Sequence, residues 1–233
     1  MKVGIMQPYF FPYIGYWQLI SSVDRFVLYD DVNYINRGWI NRNQILINGQ
    51  SHFINLKLQN ASQNKLINSI EILDDYEYNC QKIITSIDIN YKKAPYYAEV
   101  AELLKDIIDY KEKNLAKYLE HSIRSICGHL AIKTEIIVSS EISKDNMLKG
   151  QDKIIEICKK TGCSSYINAI GGQTLYSRQS FINEGLELSF IKSGDITYKQ
   201  FHNTYVPNLS IIDVMMFNSK ETIREMLNQY ELI

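Results

Sequence analysis

The opening stretch constrains this chain more than any other. Lys2–Met6 (KVGIM) is a short apolar run that breaks at Gln7-Pro8, which reads as a buried strand running into a loop. Beyond Pro12, apolar residues at positions 16, 17, 19, 20 and 23 follow helical spacing and predict a helix over 15–22. Arg25–Asp31 (RFVLYDD) is aromatic and β-branched, a second buried strand closed by two carboxylates. Strand, loop, helix and strand form a βαβ unit, so the two strands are parallel and joined by a right-handed crossover. A sheet begun this way takes its ligands outside the carboxyl ends of its strands.

The remaining segments extend that plan. Gln44–Ile47 and His52–Leu56 flank Asn48-Gly49, the strongest short hairpin signal. Apolar spacings of three and four predict helices over 76–90, 95–110 and 114–130, with Pro95 in the first turn of the second and Asn114 as N-cap of the third. Ile136–Ser140 reads as a strand, and 150–161 as a helix stopped by Gly162. Ser165–Asn168 is a strand feeding a Gly171-Gly172 turn, followed by a helix over 173–184, a strand over Leu186–Ile191 and helices over 209–217 and 220–230. The expected fold is α/β, a Rossmann-like, mostly parallel sheet with a β-hairpin and an inserted helical subdomain. Residues 1–74 and 131–233 are expected to form a nucleotide-binding-like α/β domain, and 75–130 the helical insertion. A chain of 233 residues suits one large domain with such an insertion.

Several function classes fall away. With 25 Lys+Arg against 26 Asp+Glu, the chain lacks the basic excess of a nucleic-acid binder. No segment carries the ~20 uninterrupted apolar residues of a membrane span. The apolar N-terminus is broken by Gln7, two prolines and Gly15, with no cleavage site after it, so a cytoplasmic protein without membrane insertion is expected. Cys80, Cys127, Cys158 and Cys163 form no disulfide framework, and His52, His121, His129 and His202 show no metal-ligand spacing, so no metal site is expected. P-loop and GxGxxG signatures are missing.

Three polar clusters fall at predicted strand ends. In the first, Gln7-Pro8-Tyr9 leads through Tyr13-Ile14-Gly15-Tyr16 into a helix whose free N–H groups suit an anion. Pro-Tyr-Ile-Gly-Tyr resembles the HxGH region of adenylyl- and nucleotidylyl-transferases, with Tyr13 and Tyr16 at the histidine positions. Tyrosine donates a hydrogen bond there but carries no positive charge near neutral pH. In the second, Asp30, Asp31 and Asn33 precede Arg37, Trp39, Asn41, Arg42 and Asn43. The arginines offer planar forks for phosphate or carboxylate, and either aspartate could accept an amine proton, orient a sugar hydroxyl or neutralise an arginine. In the third, Asn168, Gly171, Gly172 and Tyr176 surround a glycine pair that lets backbone approach a ligand closely. Lys65 is a further phosphate candidate, and His202 in a polar loop is a candidate base near pH 7. Asp213 lies on an apolar helix face, where a carboxylate needs a partner, and is a candidate either as the pair of an arginine or as part of the site. Of the 17 tyrosines, seven fall in or beside these clusters, which points to a pocket lined by neutral hydroxyls.

Five stretches together, QPYFFPYIGYWQLI, YDDVNYINRGWINRNQI, QNKLI, YINAIGGQTLY and VPNLSIIDVMMFN, resemble the WbqC-like protein family from about Lys2 to Tyr230. That family is found mostly in bacterial gene clusters for O-antigen and other surface polysaccharides. The resemblance implies an enzyme of such a pathway, expected to transfer an acyl or aminoacyl group to a nucleotide-linked amino sugar, with a small acyl or amino-acid donor and ATP with Mg as activator. Two alternatives remain: a nucleotidylyltransferase making an activated sugar, and a non-catalytic protein binding a sugar nucleotide. The oligomeric state stays open at this stage.

Overall fold

The computed structural model describes residues 1–73, 76–201 and 204–233. Strand β1 (Lys2–Met6) passes through helix α1 (Ile14–Ser21) to β2 (Arg25–Leu28). A hairpin of β3 (Arg42–Ile47) and β4 (Gln50–Asn55) follows, then a two-residue ladder of β5 (Leu58–Gln59) with β6 (Glu71–Ile72). Helices α2 (Tyr76–Tyr91), α3 (Tyr97–Ile108) and α4 (Leu115–His129) lead to β7 (Glu135–Val138). Then come α5 (Gly150–Lys160), β8 (Ser165–Ala169), α6 (Arg178–Asn183) and β9 (Glu187–Ser193). Helices α7 (Ile211–Phe217) and α8 (Lys220–Leu227) precede the last strand, β10 (Tyr230–Leu232).

Six strands form one sheet in the order β10-β9-β8-β1-β2-β7, parallel throughout except for β10. The fold is therefore the mixed α/β, Rossmann-like arrangement expected from the sequence. Side-chain alternation divides the core between two faces. Phe26, Leu28, Ile136 and Ile167 point toward α1, α4, α7, α8 and the hairpin. Val3, Ile5, Val27, Tyr166 and Phe190 point the other way, toward Ile154 and Ile157 of α5 and Phe181 of α6. Each such buried side chain contributes roughly 1.5–3 kcal/mol of transfer free energy. The sheet is thus covered on both sides, and only its edges are open to ligands.

Differences from the sequence expectation have local causes. β2 stops at Leu28 rather than Asp31, although Tyr29 still donates its N–H to Met6 O at 2.8 Å. Helix α3 begins at Tyr97, with Pro95 just outside its first turn. Asn114 does cap α4, its side chain accepting from Lys117 N at 3.2 Å. β7 ends at Val138, and Ser139–Glu141 turn as a 3-10 helix. The helix expected over 173–184 is instead a 3-10 turn, Ile170–Leu175, followed by the short α6. Gln173, Thr174 and Leu175 are all exposed, so no apolar face holds an α-helix there. The last helix stops at Leu227. The wholly buried Gln18 amide donates to Met226 O at 2.8 Å and Gln229 O at 2.9 Å, which satisfies the carbonyls of that end. The chain then turns into β10, whose Tyr230 pairs with Ser193. Among the described residues no helix is long and apolar enough to cross a membrane.

Candidate functional site at the carboxyl edge of the sheet

β1 is flanked by β2 on one side and β8 on the other, so the loops leaving β1 and β8 diverge at a topological switch point. Gln7, half-buried, lies on the β1 side and points its amide at Asn33 O, 3.5 Å away. Tyr16 is buried and donates its hydroxyl to Gln7 O at 3.0 Å, so it supports the loop from beneath. Tyr9 packs on Tyr16 with ring centroids 5.4 Å apart, and Tyr13 stands at the start of α1. Gly15 is needed beside Tyr13, because a Cβ there would sit 2.6 Å from the Tyr13 ring. Burial, and then the neighbouring Tyr13, push the Tyr9 phenol up to about 12, and burial also raises Tyr13 and Tyr16. These hydroxyls are neutral donors at any physiological pH. On the β8 side, Asn168 is buried and accepts from Ala169 N at 2.8 Å, while Tyr176 packs on Tyr166 at 5.8 Å. A Cβ on Gly172 would lie 2.4 Å from the Asn168 amide nitrogen, so that glycine is a close-approach residue; Gly171 is exposed with open space around it.

The two carboxylates after β2 leave it in opposite directions. Asp31 turns toward α5, where Lys144 and Lys153 reach its Oδ2 at 2.9 and 3.0 Å with only 1% and 7% of their side chains exposed. Lys153 also donates to Asp31 O at 2.8 Å, and Lys144 to the Ser139 carbonyl. Burial acts to raise the Asp31 carboxyl, but hydrogen bonds and charge from these lysines outweigh it and hold the group below its ordinary value. Asp30 turns to the other face and is 3% exposed. It accepts from Ser140 N at 2.9 Å, Ser140 Oγ at 2.6 Å and Asn68 Nδ2 at 3.3 Å, all neutral donors. It also lines a cavity of about 160 Å³ between the strand ends and the first turn of α4.

The other candidates scatter. Arg42 donates to Gly38 O at 3.1 Å and to the Arg37 carbonyl, and its guanidinium lies 4.4 Å from the Phe53 ring centre. It braces a turn in which Arg37 itself is exposed, at φ +59°. Trp39 stacks loosely on Phe53 at 6.2 Å. Asn41 accepts from the Tyr34 hydroxyl at 2.7 Å and donates to Leu56 O at 2.9 Å. Asn43 is buried and donates to Phe10 O and Phe11 O at 3.1 and 2.9 Å, which fixes the bend at Phe11. Asn33 and Lys65 are exposed. His202 lies outside the described residues. Asp213 finds hydroxyl and amide partners rather than an arginine: Tyr198 and Gln200 donate to its Oδ1 at 2.7 Å each, and Tyr91 to its Oδ2 at 2.8 Å. Burial raises its carboxyl despite those bonds.

A family model, described as the WbqC-like protein family, matches residues 7–225. The chain belongs to that family. The matched span opens at Gln7, the first residue past β1, and contains every candidate residue named above. A relative, the "Uncharacterized protein Rv1507c" of Mycobacterium tuberculosis (strain ATCC 25618 / H37Rv), is 26% identical over 220 residues, covering 93% of each chain. No solved structure matches.

Lys144, Lys153, Ser140 and Asn68 carry the arrangement yet stand in none of the three sequence clusters. Lys153 follows Asp31 by 122 residues and sits in an amphipathic helix, where lysine reads as a solvated charge. The one available signal is its position among the apolar residues Ile154, Ile155 and Ile157 of α5. A wider recess of about 500 Å³ lies at the opposite, amino edge, lined by Asp24, Lys133, Thr134, Arg224 and their neighbours. The parallel topology assigns ligands to the carboxyl edge instead. Among the described residues no group of three or more His, Cys, Asp or Glu side chains could hold a metal ion.

Proposed function

We propose that this protein is an enzyme of bacterial surface-polysaccharide (O-antigen) biosynthesis that transfers an acyl or aminoacyl group to a nucleotide-linked amino sugar at the carboxyl edge of its sheet. The observation that carries the reading is the switch point between β1 and β8. There the loop bearing Gln7 and Tyr9 leaves β1 and the close-packed Asn168–Gly172 turn leaves the neighbouring β8, and the Tyr9 phenol stays neutral. Neutral hydroxyl and amide donors suit sugar hydroxyls, nucleobase edges and carbonyls, whereas a bare phosphate site would present free cations.

Membership in the WbqC-like family supports the pathway assignment. ATP, with Mg, supplies the activation of the acid when present. In the transfer, the amine nitrogen bonds to the activated acyl carbon, the leaving group departs with its electron pair, and a carboxylate at the end of β2 takes the amine proton.

The test is to incubate the purified protein with ATP, Mg, a panel of amino acids and nucleotide-linked amino sugars, and to follow products by mass spectrometry. An amide-linked sugar nucleotide with acid-dependent AMP release is the expected result. Pyrophosphate release with a newly formed nucleotide sugar would replace the reading with nucleotidyl transfer. Ligand binding without any product would replace it with a carrier role.

A further inference from the structure

The cavity beside Asp30 has a charge pattern of its own. Its walls come from the loop after β1 (Pro8), the end of β2 (Asp30), the turn at Asn68, the first turns of α4 and the end of β7. At about 160 Å³ it holds the equivalent of roughly five waters, enough for a small polar molecule or one end of a larger one. Exposed Lys117 and Glu141 balance in charge on its lining, and Arg124 neutralises Glu120 at 2.8 Å. What remains is the charge of Asp30, almost fully buried and supplied only with neutral donors. No ion pair forms on it among the described residues. A buried carboxylate without a counter-ion is unfavourable until a cation reaches it. Its Oδ1 accepts a single hydrogen bond, from Ser140 N, and so keeps acceptor capacity.

We propose that this cavity is the subsite for a protonated primary amine, whose ammonium pairs with Asp30 and whose polar remainder meets Asn68 and Asn114. The proposal rests on the transferase reading and sharpens it: Asp30, not Asp31, holds the ammonium and takes the proton whose loss frees the nitrogen lone pair. The second N–H proton passes to solvent once the nitrogen–acyl bond has formed. Two sources share this chemistry, the amino group of the acceptor sugar and that of a free amino acid. Asp31 cannot serve either, because the two buried lysines paired with its Oδ2 already compensate its charge and would repel an ammonium. Pro8 follows Gln7 directly, so the cavity adjoins the switch-point loop.

The test is calorimetric titration of the whole protein, without ATP, using glucosamine, glycine and N-acetylglucosamine in turn. The expected result is that at least one of the two amines binds and the N-acetyl sugar does not. The tighter amine then identifies the source. Asp30→Asn is expected to weaken amine binding by about tenfold or more, the scale of one charge-assisted hydrogen bond. Ala116→Leu, which fills the cavity from α4 and leaves the Asp30 hydrogen bonds alone, is expected to abolish it. Equal binding of the N-acetyl sugar, no binding of either amine, or amine binding unchanged in both variants overturns the proposal. Amine binding without turnover in the product assay would remove the transferase reading and leave the subsite. Product formation with amine binding indifferent to both variants would do the reverse.

Discussion

Asp30 and Asp31 are neighbours in the chain and opposites in the fold. Each leaves the end of β2, and the alternation of a strand sends one to each face of the sheet. On the α5 face, Asp31 meets two buried lysines that both pair with its Oδ2, and its charge is answered twice over. On the α4 face, Asp30 meets a backbone N–H, a hydroxyl and an amide, and beyond them an opening. A carboxylate that already has its cations is a structural tie, while one held in place by neutral groups keeps its charge available for a ligand. Asp213 is the internal control: it is also buried and also served by neutral donors. However, three side chains from α2 and the 198–200 segment close over it, and they tie those segments to α7.

The comparison breaks most visibly through stability. Asp31→Asn strands two buried ammonium groups and is expected to destabilise the fold by about 3–5 kcal/mol in urea unfolding. Replacing all three members at once, Asp31→Leu with Lys144→Met and Lys153→Met, is expected to recover most of that loss, since no charge is left unpaired. The pH dependence has a definite sign. The folded carboxyl of Asp31 lies below its ordinary value of 3.8, so its stabilisation is fully present above that value and is lost as the pH falls through the folded pKa. The difference between wild type and Asp31→Asn therefore shrinks on acidification below about pH 4.

Asp213→Ala comes next, at on the order of 3 kcal/mol, because it leaves Tyr91, Tyr198 and Gln200 as buried donors without an acceptor. Its pH slope runs the other way. A folded carboxyl raised above 3.8 gives stability that is complete below that value and is lost as the pH rises through the folded pKa. Unfolding of Asp213→Asn, compared with wild type between about pH 3 and 7, checks that sign.

Gly172→Ala is a smaller change, about 1–2 kcal/mol, because the new Cβ must push aside the Asn168 amide. Its melting temperature and its binding of a nucleotide-linked sugar are expected to fall together. Asp30→Asn is smallest in stability, within about 1 kcal/mol, since its amide oxygen still accepts from Ser140 N. A loss as large as that of Asp31→Asn would make Asp30 a structural tie as well.

The sequence carries the sheet more readily than the site. β1, α1 and β2 are legible because their apolar spacing follows one period each, and the hairpin because Asn48-Gly49 fits a single turn chemistry. β10 is not, since three edge residues with no buried side have no period to show. The helix expected over 173–184 fails for a related reason: the spacing of its residues says nothing of whether a surface exists to bury them. At the site, residue type marks the right strand ends but not the partners. Arg42 and Asn43 carry the groups that bind ligands, and the fold turns them on the chain's own carbonyls. The division of labour between Asp30 and Asp31 depends on Ser140, Lys144 and Lys153, which only the completed sheet brings to the end of β2.

The most direct measurement is a carbon-13 NMR titration of the side-chain carboxyls with glucosamine and with glycine, the two signals assigned by Asp30→Asn and Asp31→Asn. The account predicts that the Asp30 carboxyl shifts with saturable dependence on one of these amines while the Asp31 carboxyl stays fixed. A shift at Asp31, or no shift at Asp30 with either amine, would contradict it.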